Sequence, residues 1–390
     1  MDNPSSTSSS RSTSGSGSAR GGHARAGILA AALIFALDAI ALGPWGPWAA
    51  LSERVRDAGA APAGVAADRR AFQTMRGAPA DRRRVFVMGS SRAAAGFAPE
   101  FAEAALPGTA FAKLGHPGVD PFVLRGLAES VIDAGANAAV LVLSEIETHR
   151  PVRLEPIPGP GASGASLAAL VDLLAETGPG FAFRNRDSVM RWVASTVLRG
   201  YRYRPILRSA GIADLVDFPL DAKRLGAKPP TRMLAHRVAL GGPFRNPVSQ
   251  RQGARLARVL ETLPRRLLIA ALPEVDILRE VTPGIHVAVQ LGLVRRTVAR
   301  LRATGIAVVL VEAPVHPVAA ELYSAKLPAE FREFAAGLAR SPGIEFVPLT
   351  AMESFEAGDF NDLLHTGPRG ARKLTAGMIR GLMRVWEPGA

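Results

Sequence analysis

The sequence predicts an α/β protein built on an all-parallel sheet of about five strands with helices on both faces. Three observations predict it. Five short apolar runs, RVFVMG, TAFAKLG, NAAVLVLS, GIAVVLVEAP and GIEFVPL, read as buried strands. Helical stretches are expected at about Pro121 to Ala134, Val287 to Ala303, Pro328 to Arg340 and Arg369 to Val385. Strands alternating with helices at this spacing need crossover connections, and those cover both faces of a parallel sheet.

Composition sets the outer limits. With 390 residues, 48% of them hydrophobic and 21% charged, the chain can bury a sizeable core in one large or two modest domains. It has no cysteine, which excludes disulfides, a thiol nucleophile and cysteine-rich zinc sites. The formal net charge is +13, carried mostly by dispersed arginines. That balance suits an anionic membrane or polymer, and an arginine-rich composition accounts for it equally. Zinc-finger spacing, an RNP-like motif and a basic helix with heptads are all missing, so nucleic acid is not an expected partner. Neither a P-loop nor a dinucleotide fingerprint occurs, and no cofactor is expected.

Residues 1–25 are rich in Ser and Gly and read as a disordered cytoplasmic tail. Residues 26–50 follow as an apolar segment in which Asp38 is the only strongly polar residue between Gly27 and Gly43. Arg20 and Arg25 precede this segment, and Trp45 and Trp48 stand where an interfacial belt would lie. The expected reading is an uncleaved, single-pass signal anchor in the inner (cytoplasmic) membrane with the remaining chain extracytoplasmic. A cleaved signal peptide ending near Ala39-Ile40-Ala41 is the alternative. Residues 51–82 read as a stalk or short helix leading to a main domain over residues 83–390.

Residues 151–264 interrupt the alternation. They hold 17 Lys and Arg against 8 Asp and Glu, most of the chain's positive excess. They read as a mostly helical, cap-like insertion that shapes specificity. Its most basic stretch is either a solvated amphipathic helix or a surface for lipid headgroups or anionic polymer.

In an open parallel sheet, ligands bind outside the carboxyl ends of the strands. The residues following each predicted strand therefore carry the chemistry. The first strand delivers Gly89-Ser90-Ser91-Arg92. The second delivers Gly115, His116 and Gly118, and the third Ser144, Glu145 and Glu147. Glu312 and His316 follow the fourth, and FNDLLHTGPRG follows the last. A serine nucleophile needs a base within hydrogen-bond reach and a carboxylate to fix the tautomer of that base. Ser91, His365 and Asp362 supply those three groups. The main-chain N–H groups of Ser91 and Gly115 can meet the developing oxyanion, because glycine leaves the approach open. Ser91 read alone is equally a helix cap, and Asp362 a cap for the final helix. Arg92, His116, Glu145 and His316, on the same edge, are expected to contact substrate. Arg92 reads first as a salt-bridge residue of the first helix, and His116 is either a substrate contact or a space-filling residue. Glu312 and His316 have i, i+4 spacing, but Pro314 and Pro317 argue against a shared helical face, so no metal is expected there.

These blocks resemble the SGNH (GDSL-like) hydrolases. VFVMGSSR is similar to their first block, with the nucleophile third after glycine. AKLGHPG is similar to the second, which supplies a glycine N–H. FNDLLHTGPRG is similar to the last, an Asp-x-x-His followed by glycine at the start of the final helix. The likeness covers residues 84–145 and 285–385, about half the chain. It implies a flavodoxin-like sheet and an esterase or O-acyltransferase chemistry on Ser91, His365 and Asp362. Three positions depart from the pattern: Ser90 replaces an acidic residue, Lys113 replaces an asparagine, and the third-block asparagine has no counterpart. Ser144 is the nearest substitute for that side-chain oxyanion donor. The Gly-Ser-Ser-Arg form, the membrane helix and the insertion resemble a membrane-anchored subgroup that includes alginate-acetylation and D-alanyl-lipoteichoic-acid transfer proteins. That likeness implies acyl transfer to a cell-surface polysaccharide or lipid, beside a multi-spanning membrane acyltransferase. A carbohydrate or lipid esterase with the same triad, and a catalytically silent scaffold that binds polymer or a membrane partner, are the alternatives.

Overall fold

A computed structural model describes residues 71–116, 119–152, 167–186, 189–190, 193, 281–321 and 324–387. The expected tail, the expected anchor and most of the expected stalk and insertion lie outside these residues. Among the described residues no helix is long and apolar enough to cross a membrane.

Five strands appear where the apolar runs predict them: β1 (Arg83–Ser90), β2 (Thr109–His116), β3 (Ala138–Leu143), β4 (Ala307–Glu312) and β5 (Ile344–Val347). All neighbours pair in parallel, in the order β2-β1-β3-β4-β5. This is the flavodoxin-like order, whose switch point lies between β1 and β3. The chain leaves β1 towards one edge and returns to β3 on its other side, so a crevice opens at the carboxyl end of β1.

The connections are α1 (Ser91–Gly96), α2 (Pro99–Ala105), α3 (Pro121–Asp133), α4 (Glu145–Thr148), α5 (Leu167–Thr177), α6 (Pro179–Arg184), α7 (Ile285–Ala303), α8 (Pro317–Ala320), α9 (Lys326–Leu338), α10 (Leu349–Met352) and α11 (Pro368–Trp386). Their starts are legible locally. Asp120 caps α3, its Oδ1 accepting from the Val123 N–H at 3.1 Å, and Pro121 occupies the first turn. At α11 Pro368 likewise occupies the first turn, after Gly367, which offers no side-chain cap.

Strand side chains alternate between two cores. Phe86, Met88, Leu114, Leu141, Leu143 and Leu310 face α3, α5, α7 and α9. Val85, Val87, Val140, Val142, Val309 and Val347 face α1, α2, α10 and α11. Both faces are covered, so the strands read as continuous apolar runs.

Two segments join the core that the sequence reading placed elsewhere. Residues 71–77, within the expected stalk, are helical; Phe72 and Met75 are buried, and the Phe72 ring lies 5.4 Å from that of Phe86. Helix α5, within the expected cap, buries Ala169, Leu170 and Leu173 beside α3 and α7. Ion pairs fasten it there, Arg125 to Asp172 at 2.7 Å and Arg296 to Glu176 at 2.6 Å.

Candidate active site

The first turn of α1 presents Ser91. Ser90 caps this helix, its Oγ accepting from the Arg92 N–H at 3.2 Å. The capping role therefore falls to Ser90, and the half-buried Ser91 hydroxyl is left to point elsewhere. It meets His365: Ser91 Oγ and His365 Nε2 are 2.7 Å apart. The other ring nitrogen, Nδ1, lies 2.7 Å from Asp362 Oδ2. The second carboxylate oxygen of Asp362 accepts from the main-chain N–H groups of Leu364 at 2.8 Å and His365 at 2.7 Å. Asp362 thus holds the His365 ring and does not cap α11. Burial alone would raise the Asp362 pKa. Hydrogen bonding to His365, its charge and the two main-chain donors outweigh that and hold the carboxyl below its ordinary range. His365 and Asp362 keep 26% of their side-chain surface exposed, so the relay is open to a ligand.

The loop carrying Asp362 and His365 is tightly held. Phe360 and Thr366 form an antiparallel bridge, and the Asn361 N–H donates to the His365 carbonyl at 2.9 Å. Beneath it, Asp359 is wholly buried and accepts from Arg369 Nε at 2.5 Å and Lys373 Nζ at 2.7 Å, both on α11. The Gly367 N–H donates to the Asp359 carbonyl at 2.7 Å. Burial would raise the Asp359 carboxyl; the two cations and the Glu356 N–H overcome it and hold the pKa below the ordinary range. Leu363 and Leu364 anchor the loop's apolar side against Ile146, Ala319 and Leu327.

Gly115 pairs in register with Gly89. A Cβ on Gly115 would stand 2.7 Å from the Ala94 nitrogen, so only glycine allows β2 to lie this close to α1. Its main chain therefore sits against the helix that Ser91 begins. His116 is the last residue of β2, in register with Ser90; its side chain lies outside the described residues.

Four predicted site residues take other roles. Arg92 is 4% exposed, and its guanidinium is engaged by Glu147, Ser144 and two main-chain carbonyls. The salt-bridge reading of Arg92 replaces the substrate contact. Ser144 is wholly buried, and its hydroxyl proton is donated to Glu147 Oε2 at 3.1 Å while Arg92 and the Ile146 N–H donate to its oxygen. It has no proton left for an oxyanion. Glu145 is buried at the head of α4. His316 is 3% exposed; its Nδ1 accepts from the Val318 N–H at 3.2 Å, and its ring packs edge-on against Phe360 at 5.5 Å. Burial pushes the His316 pKa down, with Asp362 pulling the other way. His316 thus supports the His365 loop from below.

The structure adds Glu147, Asp359 and Arg369 to the surroundings of the site. For Glu147 a signal exists: Ser144-x-x-Glu147 is a capping-box pattern, and the Ser144 N–H donates to Glu147 Oε2 at 2.9 Å. Glu312 is drawn away to Arg332 at 2.7 Å and the Thr350 N–H, which separates it from His316. Among the described residues no three His, Asp or Glu side chains are grouped to hold a metal.

The arrangement is a hydroxyl, an imidazole and a carboxylate in series, at the carboxyl edge of a parallel sheet, beside its switch point. No protein-family model matches the chain, and a search of the curated proteins finds no match to it.

Proposed function

We propose that the protein is an SGNH-like serine acyl-transfer protein, with Ser91 as nucleophile, His365 as general base and acid, and Asp362 as the group that orients His365. The observation that carries this reading is the relay Ser91 Oγ to His365 Nε2 to Asp362, with both contacts at 2.7 Å. The serine and histidine meet across 274 residues of chain, in the nucleophile–base–orienter order that acyl transfer by serine requires.

In this reading His365 Nε2 takes the Ser91 proton as Oγ attacks an ester carbonyl. The negative charge on the tetrahedral intermediate is met by the main-chain N–H groups of Ser91 and Gly115. Collapse expels the alcohol, which leaves with the proton from His365. The acyl group is then an ester on Ser91. A second hydroxyl, from water or from a sugar or lipid acceptor, gives its proton to His365 as it attacks the acyl carbon, and His365 returns that proton to Ser91 Oγ as the ester bond to Ser91 breaks. Asp362, ionised well below neutral pH, holds the imidazole in the tautomer that leaves Nε2 free to accept. Ser144 is spent on Glu147, so the oxyanion relies on main-chain donors. One missing donor lowers turnover by about 10²–10³-fold, for transfer to water and to a sugar or lipid hydroxyl alike.

The apolar segment at 26–50 extends the proposal to a membrane-anchored, extracytoplasmic protein acting on a cell-surface polysaccharide or lipid ester, beside a multi-spanning membrane acyltransferase. The test is a product assay. Purified protein is given an activated acetyl ester with and without an oligosaccharide acceptor. Acyl-oligosaccharide formed by wild type and not by Ser91→Ala supports the transferase. Free acid at a rate unaffected by the acceptor identifies the esterase, and no turnover of either kind contradicts the proposal.

A further inference from the structure

We propose that Arg92 and Glu147 form a positioning device that sets the separation of Ser91 and His365. This inference rests on the acyl-transfer reading above and assigns the buried pair a part in it.

The nucleophile is held from both sides of the chain. Ser90, just before it, donates from Oγ to Glu147 Oε1 at 2.7 Å. Arg92, just after it, donates from one terminal nitrogen to Glu147 Oε2 at 3.1 Å and to Ser144 Oγ at 2.5 Å. One carboxylate therefore grips both neighbours of Ser91. Glu147 is itself fixed to the end of β3 by the Ser144 N–H.

The second terminal nitrogen of Arg92 reaches the next strand. It donates to the Ala313 carbonyl at 2.6 Å and the Pro314 carbonyl at 2.8 Å, immediately past the end of β4. Two residues on, the His316 N–H donates to the Leu363 carbonyl at 3.1 Å, inside the loop that carries Asp362 and His365. His365 then closes on Ser91. The links form a ring: Ser91, Arg92, the residues after β4, Leu363, His365 and back to Ser91. The ring ties the nucleophile to the base by a route separate from their own hydrogen bond.

The chemistry of the pair suits geometry more than stability. A buried ion pair is a weak stabiliser compared with apolar packing of the same volume, because both charges lose their water. A pair whose two terminal guanidinium nitrogens and both carboxylate oxygens are hydrogen-bonded does hold its partners in a single arrangement. Arginine is required because its planar fork addresses acceptors on two strands at once. A lysine ammonium, a point charge on a flexible stem, cannot span Glu147 and the two carbonyls together.

The test uses the full chain. Arg92→Met alone would leave Glu147 buried and unpaired, so the decisive variant is Arg92→Met with Glu147→Gln, which removes both charges. Labelling of Ser91 by a fluorophosphonate is timed well below the melting temperature, and the His365 Nδ1–H proton resonance is recorded beside it. The device predicts native melting, a retained Nδ1–H resonance because Asp362 and His365 share one loop, and labelling slowed about 10–100-fold by the displaced hydroxyl. A structural role alone predicts wild-type labelling once the charges are gone, and that outcome overturns the inference. If the double variant does not fold, Arg92→Lys, which keeps the charge, decides instead: slowed labelling supports the device and unchanged labelling overturns it. Wild type left unlabelled at Ser91 defeats the acyl-transfer reading itself, a result distinct from either.

Discussion

The main-chain carbonyl of Asp359 lies against the Cα of Gly370 so closely that no methyl group fits between them. Asp359 precedes the loop that carries Asp362 and His365, and Gly370 sits in the first turn of α11. The absence of a side chain at residue 370 therefore sets how deeply that loop can seat. Gly370→Ala should push Asp359 and Thr366 outward. Overpacking of this kind costs about 1–3 kcal/mol. The larger effect is expected on chemistry: fluorophosphonate labelling of Ser91 should slow by roughly 10²-fold as His365 moves from its 2.7 Å contact. Melting temperature and labelling rate, measured together, check both parts.

Asp362→Asn separates charge from shape. The amide oxygen can still accept from the Leu364 and His365 N–H groups, so the loop keeps its fold. The amide NH₂ would then face His365 Nδ1, which must become an acceptor, and Nε2 would carry the proton. The imidazole would be held in the tautomer that cannot deprotonate Ser91. Labelling should fall by roughly 10³–10⁴-fold with little change in melting temperature.

Asp359 makes stability depend on acid. Its folded pKa lies below the ordinary carboxyl value, because Arg369, Lys373 and the Glu356 N–H outweigh the burial that opposes them. A depressed carboxyl contributes stability that is fully present above its unfolded pKa of about 4 and is lost as pH falls through the folded value. Asp359→Asn should therefore be less stable than wild type at neutral pH, by about 2 kcal/mol. That is less than the ~3–5 kcal/mol of a fully buried pair, since Arg369 is 56% exposed. Below pH ~4 the two proteins should converge. Denaturant unfolding at pH 7 and at pH 3 checks the sign.

Two buried histidines act in milder acid. Burial pushes both His149 and His316 below the ordinary histidine value, with Glu330 and Asp362 respectively opposing it. The unfolded chain takes up protons near pH ~6.5 that the folded chain refuses. Stability should decline as pH falls from about 6.5 towards the lower folded values. His149→Gln should flatten that decline in melting scans at pH 7, 6 and 5. An identical slope in wild type and variant would remove His149 from the account.

The sheet was legible because its strands are buried on both faces and read as unbroken apolar runs. The grouping of Ser91, Asp362 and His365 was legible because Ser91 directly follows β1 and Asp362-x-x-His365 sets a carboxylate and an imidazole on one loop ahead of the final helix. Burial of polar side chains was not legible. Arg92 and His316 follow strands, where solvent-facing ligands also stand, and nothing local distinguishes the two cases. Their partners, Glu147 and the Leu363 carbonyl, lie 55 and 47 residues away in the chain. Residues 71–77 escaped for another reason: Phe72 and Met75 mark only one helical turn in an Ala-, Gly- and Pro-rich stretch, too short a pattern to separate core from stalk. Residues 167–177 stand inside a Pro- and Gly-interrupted stretch of the sequence, and only the contacts of α5 with α3 and α7 set them in the core.

Every step of the proposed chemistry requires Ser91 to be an activated nucleophile. The most direct test is fluorophosphonate labelling of the folded protein, with the modified residue located by mass spectrometry, for wild type, Ser91→Ala and His365→Ala. The account predicts a single adduct on Ser91 in wild type and none in either variant. Folded wild type that carries no adduct, or an adduct that persists at full rate in His365→Ala, would contradict it.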